Sequence, residues 1–233
     1  MSDEVVQQLV EVLKHPVGWM AKALFDLEVS GREHLPEGGY VISGNHVSFI
    51  DPVIVTLAAH RNIGYLATGG IFEPSLVFSK FIRYFGARPV ARDRVPVGAI
   101  RGALSDLAAG KPVAVFPEGR RVPYFRETRP HRGAAWIALA AGVPLVPVAM
   151  HGTHGTLGMV QSAFRRSAIR VWIEEPINVL DYADHEDPLA AVSQRWMDVI
   201  GERLDPWWED DPIAGLAVRD LDPSLQPRDH GSS

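Results

Sequence analysis

The chain has 233 residues, 46% of them hydrophobic, with a formal net charge of -5 and no cysteine. That length and apolar share suit a globular chain with a sizeable core, of one large α/β domain or two small ones. The missing cysteine excludes a disulfide scaffold, a thiolate nucleophile and a Cys-ligated metal. The charge is uneven: residues 80–132 hold 12 Lys/Arg against 4 Asp/Glu, a net of +8, while the remainder stands at -13. A basic block in an acidic chain points to an anionic ligand. Few aromatics are placed there to stack on bases and no nucleic-acid motif occurs, so no nucleic acid is expected. Phosphate on a small molecule or at a membrane surface fits better.

From the amino end, Val5, Leu9 and Leu13, then Trp19, Ala23 and Leu27, fall at helical spacing on either side of Pro16. Residues 1–28 are read as an amphipathic helical pair, packed on its own domain or, alternatively, resting on lipid with Trp19, Lys14 and Lys22 near the interface. The start lacks the basic and apolar regions of a signal peptide, and no run reaches the roughly 18–20 apolar residues that span a bilayer. A cytoplasmic protein, peripheral on the inner face of the membrane, is expected. Strands are predicted at 25–31, 40–43, 63–68, 87–92, 111–119 (ending in a Pro/Gly loop), 143–152 and 169–176. Helices are predicted at 52–60, 75–85, 96–110, 133–142 and about 189–204, with Gly110 closing the third. This alternation predicts one α/β domain over 29–204: a mixed, mostly parallel twisted sheet of about seven strands flanked by helices. Residues 205–233, rich in Pro and Asp, read as an irregular tail.

Three stretches carry candidate chemistry. In "SGNHVSFIDP" (43–52), Asn45, His46 and Asp51 fall between a strand and a helix, where α/β proteins place their sites. Asp51 before Pro52 reads as a helix N-cap, with one oxygen on the helix and the other holding His46. A His held in one tautomer by a carboxylate is a general base. Ser48 is near enough to His46 to suggest a Ser–His pair, but no nucleophile-elbow sequence surrounds it. In "VFPEGRR" (115–121), Pro117 ends the strand and Gly119 lets backbone approach a ligand, with Glu118 and Arg121 placed to grip it. A solvated surface turn is the bland alternative. In "GARPVARDR" (86–94), Arg88, Arg92 and Arg94 alternate along an extended segment, a cluster suited to phosphate. A charged edge strand is the bland alternative there.

In this order the stretches resemble the PlsC-type glycerolipid acyltransferases, the 1-acylglycerol-3-phosphate acyltransferases and their relatives. "NHVSFID" resembles the NHxxxxD block, "GARPVAR" the second block, "FPEGRR" the FPEGTRS block and "VPLVPVA" (143–149) the fourth. The likeness runs from about Val29 to Pro176. It implies that His46 takes the proton from an acceptor hydroxyl and Asp51 orients it, with direct attack on an acyl thioester. It also implies that Arg92 and Arg121 bind the acceptor phosphate, that Glu118 and Gly119 shape the glycerol site, and that Asn45 holds the loop. Arg88 and Arg120 join the candidate substrate contacts, Arg120 standing where the family usually has Thr. No cofactor or metal is implied; acyl-CoA or acyl-carrier protein is the co-substrate, and a lysophospholipid the acceptor. The alternatives are another acceptor, such as a glycolipid, a metal-dependent hydrolase built on His46, Asp51, His151 and His154, or a non-catalytic lipid-binding protein.

Overall fold

The computed structural model describes residues 25–48, 50–68, 87–90, 97–122, 125–153 and 167–210. Seven strands form one sheet: β1 (Phe25–Ser30), β2 (Val41–Gly44), β3 (Gly64–Thr68), β4 (Ala87–Val90), β5 (Val113–Val115), β6 (Leu145–His151) and β7 (Ser167–Ile173). Their order is β1-β7-β6-β2-β5-β3-β4. The five strands from β6 to β4 run parallel, β7 is antiparallel to β6, and β1 runs parallel to β7. The mostly parallel seven-stranded sheet expected from the alternation is therefore present. The carboxyl ends of β2, β3, β4, β5 and β6 therefore lie at one edge of the sheet.

Parallel neighbours need crossovers, and helices supply them. Helix α1 (Asp51–Ala59) links β2 to β3, α2 (Val97–Ala108) links β4 to β5, and α3 (Gly133–Ala141) links β5 to β6. Helix α4 (Pro188–Asp210) follows β7. Successive side chains of a strand face opposite sides, so the apolar runs feed two cores. Ile42, Ala114 and Val146 pack with Ile54, Val55 and Ala58 of α1. Val41, Val113 and Leu145 pack with Ala103 and Leu107 of α2, Ala138 of α3, and Trp196, Ile200 and Leu204 of α4. Burial on both faces explains why β2 and β6 are nearly continuous apolar runs rather than alternating ones.

Local chemistry sets several boundaries. Gly110 stands at φ 75° and its N–H returns to Leu107 O at 3.0 Å, closing the end of α2. Pro147 lies inside β6, where a missing N–H normally breaks a ladder. Its carbonyl accepts the Glu174 N–H at 2.9 Å just past Ile173, so the proline faces β7 where the β6–β7 ladder has already ended and its missing N–H interrupts no pairing there.

Helix α4 continues beyond the expected stop at 204, through Pro206 to Asp210. The first six residues assigned to an irregular tail are thus helical. The Trp207 ring accounts for this: it lies 5.0 Å from His151 and 5.7 Å from Trp172, with Arg170 over its face. That aromatic packing on β6 and β7 offsets the proline's lost helical bond. The N-terminal helical pair up to residue 24, the helix read at 75–85 and residues 211–233 lie outside the described residues.

Candidate active site

The polypeptide leaves β2 at Gly44, and nearly every polar group over the next few residues is engaged. The Asn45 side-chain NH2 donates to Met150 O at 2.9 Å, and its Oδ1 accepts the Met150 N–H at 2.8 Å. This doubly bonded amide extends the β2–β6 pairing one step beyond the last backbone pair, Gly44 with Val148. Asn45 is fully buried and both ends of its amide are spent on backbone. It ties the loop after β2 to β6 through two buried hydrogen bonds.

His46 comes next and is fixed from three sides. Its backbone N–H donates to Glu118 Oε2, and its carbonyl accepts the Val122 N–H at 2.8 Å. Its imidazole stacks on Phe116, with centroids 4.4 Å apart and planes at 24°. Its Nδ1 lies 2.8 Å from Asp51 Oδ2. The same oxygen accepts the N–H groups of Val47 at 2.8 Å and Ser48 at 2.7 Å. An oxygen serving two other donors is an acceptor for the ring too, so Nδ1 carries the proton and Nε2 the lone pair. His46 is 8% exposed and Asp51 fully buried, so the pair works where water screens it little.

Asp51 reaches His46 by a different route from the expected N-cap. It is the first residue of α1, Ile50 occupies the cap position, and no side chain caps the helix. The carboxylate turns back over the loop because that loop offers three donors converging on one point. Tyr65 steadies the same helix end: its hydroxyl donates to Pro52 O at 2.7 Å and meets Thr56 Oγ1 at 2.8 Å.

The turn after β5 supplies the opposite wall. Glu118 is 3% exposed, and its Oε1 is buried with no hydrogen-bond partner. Burial pushes its carboxyl well above the usual range. The His46 N–H pulls it down, Asp51 pushes it up, Arg120 pulls it down and Glu127 pushes it up. Gly119 stands at φ 68°, and its N–H closes the turn on Phe116 O at 3.0 Å. An added Cβ there would lie 2.7 Å from the His131 ring, so glycine lets this turn approach His131 closely. Arg120 is exposed and its Nη2 is 3.4 Å from Glu127 Oε1. Arg121 is partly buried in the same turn.

The structure therefore brings Asn45, His46, Asp51, Glu118, Gly119, Arg120 and Arg121 into two adjoining loops at one sheet edge. Arg88 is not among them: it lies within β4, in register with Leu66, and β4 is three strands from β2. At the usual strand spacing that is roughly 14 Å across the sheet. Arg92 and Arg94 lie outside the described residues, as does His154. His151 packs against Trp207 with the rings tilted by 37°, and among the described residues no group of three metal-type side chains gathers. The sequence reading missed Phe116 beneath the imidazole, the Met150 backbone opposite Asn45, and Trp196 of α4, whose Nε1–H donates to Ser43 O at 2.8 Å. The phenylalanine before the Pro-Glu-Gly turn was a visible signal; the other two have none in local sequence.

A buried histidine–carboxylate pair at the carboxyl edge of a parallel sheet, facing a Pro-Glu-Gly turn, defines a class. Residues 26–151 match the Acyltransferase family model, and the chain belongs to that family, in its PlsC-type branch. It is 27% identical over 158 residues to a chloroplastic 1-acyl-sn-glycerol-3-phosphate acyltransferase of Brassica napus, covering 66% of this chain and 45% of that one. It is 29% identical over 147 residues to the 1-acyl-sn-glycerol-3-phosphate acyltransferase of Pseudomonas aeruginosa, covering 56% and 52%. The chain spans about half the length of these curated relatives. The fold resembles the crystal structure of the 1-acyl-sn-glycerophosphate acyltransferase PlsC from Thermotoga maritima, with a TM-score of 0.62 at 21% identity, covering 87% of this chain and 83% of that one.

Proposed function

We propose that the protein transfers a fatty acyl group from an acyl thioester to the free sn-2 hydroxyl of 1-acylglycerol-3-phosphate, giving phosphatidic acid. The observation that carries this reading is the His46–Asp51 pair, with Nδ1 bound and Nε2 left as the base. The relatives' activity supports the choice of substrates. His46 Nε2 takes the hydroxyl proton as the oxygen attacks the thioester carbonyl. The tetrahedral intermediate collapses, the C–S bond breaks, and the leaving thiolate takes the proton back from the imidazolium. Asp51 offsets the charge that the ring carries between those steps. Glu118 holds the His46 backbone through the proton transfer.

Arg121, and Arg92 beyond the described residues, are assigned to the acceptor phosphate, where a charge-assisted contact is worth about 1.5–3 kcal/mol. Arg120 offers a second guanidinium, which suits a more anionic or bulkier head group and makes another lysophospholipid or a glycolipid the alternative acceptor. The donor is acyl-CoA or acyl-carrier protein, and no step calls on a resident cofactor. Among the described residues no helix is long and apolar enough to cross a membrane. We assign contact with the cytoplasmic membrane surface to the amphipathic sequence that precedes β1, residues 1–24.

The test is thiol release from palmitoyl-CoA, with and without lysophosphatidic acid, in wild type and His46→Ala. Release that requires the acceptor and falls roughly 10²–10⁴-fold in the variant is expected. Acceptor-independent release would make the protein a thioesterase, and near-full turnover by His46→Ala would remove the base.

A further inference from the structure

Ser43 is the last residue of β2 held by neighbours on both sides, Val115 of β5 and Pro147 of β6. Past it the β5 ladder stops, and the chain must turn to present His46 three residues later. At this point the Ser43 carbonyl accepts the Trp196 indole N–H. Trp196 is 1% exposed, and a buried indole N–H needs an acceptor. The same ring meets the edge of Phe125 at 5.7 Å and 71°. Phe125 lies three residues after Val122, whose N–H holds the His46 carbonyl. One side chain of α4 thus touches the backbone just before His46 and the loop that grips His46 from the other side.

We infer that Trp196 is a positioning residue for acyl transfer, fixing the end of β2 and the loop after β5 in the relation that sets His46 against Asp51. The other anchors of this stretch come from the loops themselves, from α1 or from β6. Trp196 is the contribution of α4, an element that lies outside the family-matched residues 26–151. The second face of the clamp is further along the same helix, where Arg126 pairs with Asp205 at 3.0 Å. Displacement of a catalytic group by about 1 Å costs on the order of 10²-fold in rate. A Trp196 that only filled the core would lower stability and leave turnover at moderate temperature alone.

The inference rests on the acyltransfer reading for its kinetic half, so its test has a half that does not. In ¹⁵N-histidine-labelled protein, the downfield Nδ1 proton of His46, assigned by its loss in His46→Ala, reports the bond to Asp51. Trp196→Phe keeps an aromatic ring and removes the N–H; Phe125→Leu keeps the Ser43 bond and removes the edge contact. Both should shift or broaden that resonance, and Trp196→Phe should lower kcat about 10–100-fold with KM for palmitoyl-CoA within about twofold. A wild-type resonance and kcat in the variants, whatever the fall in Tm, would make Trp196 a core residue and overturn the inference. Should Trp196→Phe not fold, Phe125→Leu decides alone. Should the wild type move no acyl group, the proposed function fails, and the resonance still decides whether Trp196 holds His46.

Discussion

Asp51→Asn separates charge from shape at the site. The Asp51 carboxylate spends one oxygen on three donors, His46 Nδ1–H and the Val47 and Ser48 amides, while Oδ1 has no partner. Asparagine can put its carbonyl oxygen where Oδ2 stands and its NH2 where Oδ1 stands, so the loop keeps its geometry and loses only the negative charge. That charge matters when His46 becomes an imidazolium. With 2.8 Å between Nδ1 and Oδ2, the charge centres lie roughly 4 Å apart, worth about 4 kcal/mol at an effective dielectric of about 20. At about 1.4 kcal/mol per decade, kcat should fall roughly 10³-fold. The assay is acceptor-dependent thiol release at saturating palmitoyl-CoA and lysophosphatidic acid, with circular dichroism confirming the fold. A fall of less than about tenfold in a folded variant would refute the reasoning, since Asp51 would then only shape the loop.

Three further outcomes follow from the same contacts. Asn45→Ala strands the buried Met150 N–H and carbonyl at about 1–3 kcal/mol each. Urea unfolding should show a loss of about 2–6 kcal/mol, and a loss under about 1 kcal/mol would show that these groups find other partners. Glu118 titrates above the ordinary carboxylate range in the folded state, so folding favours its protonated form. The stability this contributes is complete at acidic pH and disappears as pH rises from about the unfolded value of 4.5 through the raised folded one. Glu118→Gln removes this dependence, so the variant should gain stability relative to wild type as pH rises; a gap that is flat with pH would contradict the assignment. Gly201 of α4 leaves room for the Arg126 guanidinium, whose Cζ would lie 2.8 Å from an added Cβ. In an Arg126→Ala background, Gly201→Ala should therefore stabilise by about 1 kcal/mol through helix propensity, a gain reduced or reversed in wild type. Equal effects in both backgrounds would remove the contact.

Most of the fold was legible because its signals are local. Apolar runs of strand length, helical spacing at 96–110 and 133–142, and glycines at turn positions depend only on neighbours in the chain. The placement of Asn45, His46 and Asp51 in a strand-to-helix connection was legible for the same reason. The end of α4 was not, because its last turn is held by Trp207 against Trp172 and His151, and no local pattern around Pro206 reports that packing. The cap read for Asp51 failed similarly: Asp-Pro suits a helix start, yet the donors that claim its carboxylate belong to the loop behind it.

By itself, then, the sequence determined the alternation of elements and which short stretches carry polar groups at strand ends. Only the tertiary structure decided how those groups divide the work. The strand order puts β6 beside β2, so Asn45 meets Met150 across 105 residues and fastens the loop to β6. It lays α4 across the sheet, so Trp196 meets Ser43 across 153 residues. It sets the turn after β5 against the loop after β2, so Glu118 and Phe116 hold His46 from below and behind. Such contacts depend on which strands pair and in what register, and that is settled by the whole chain's burial rather than by the residues that make the contact.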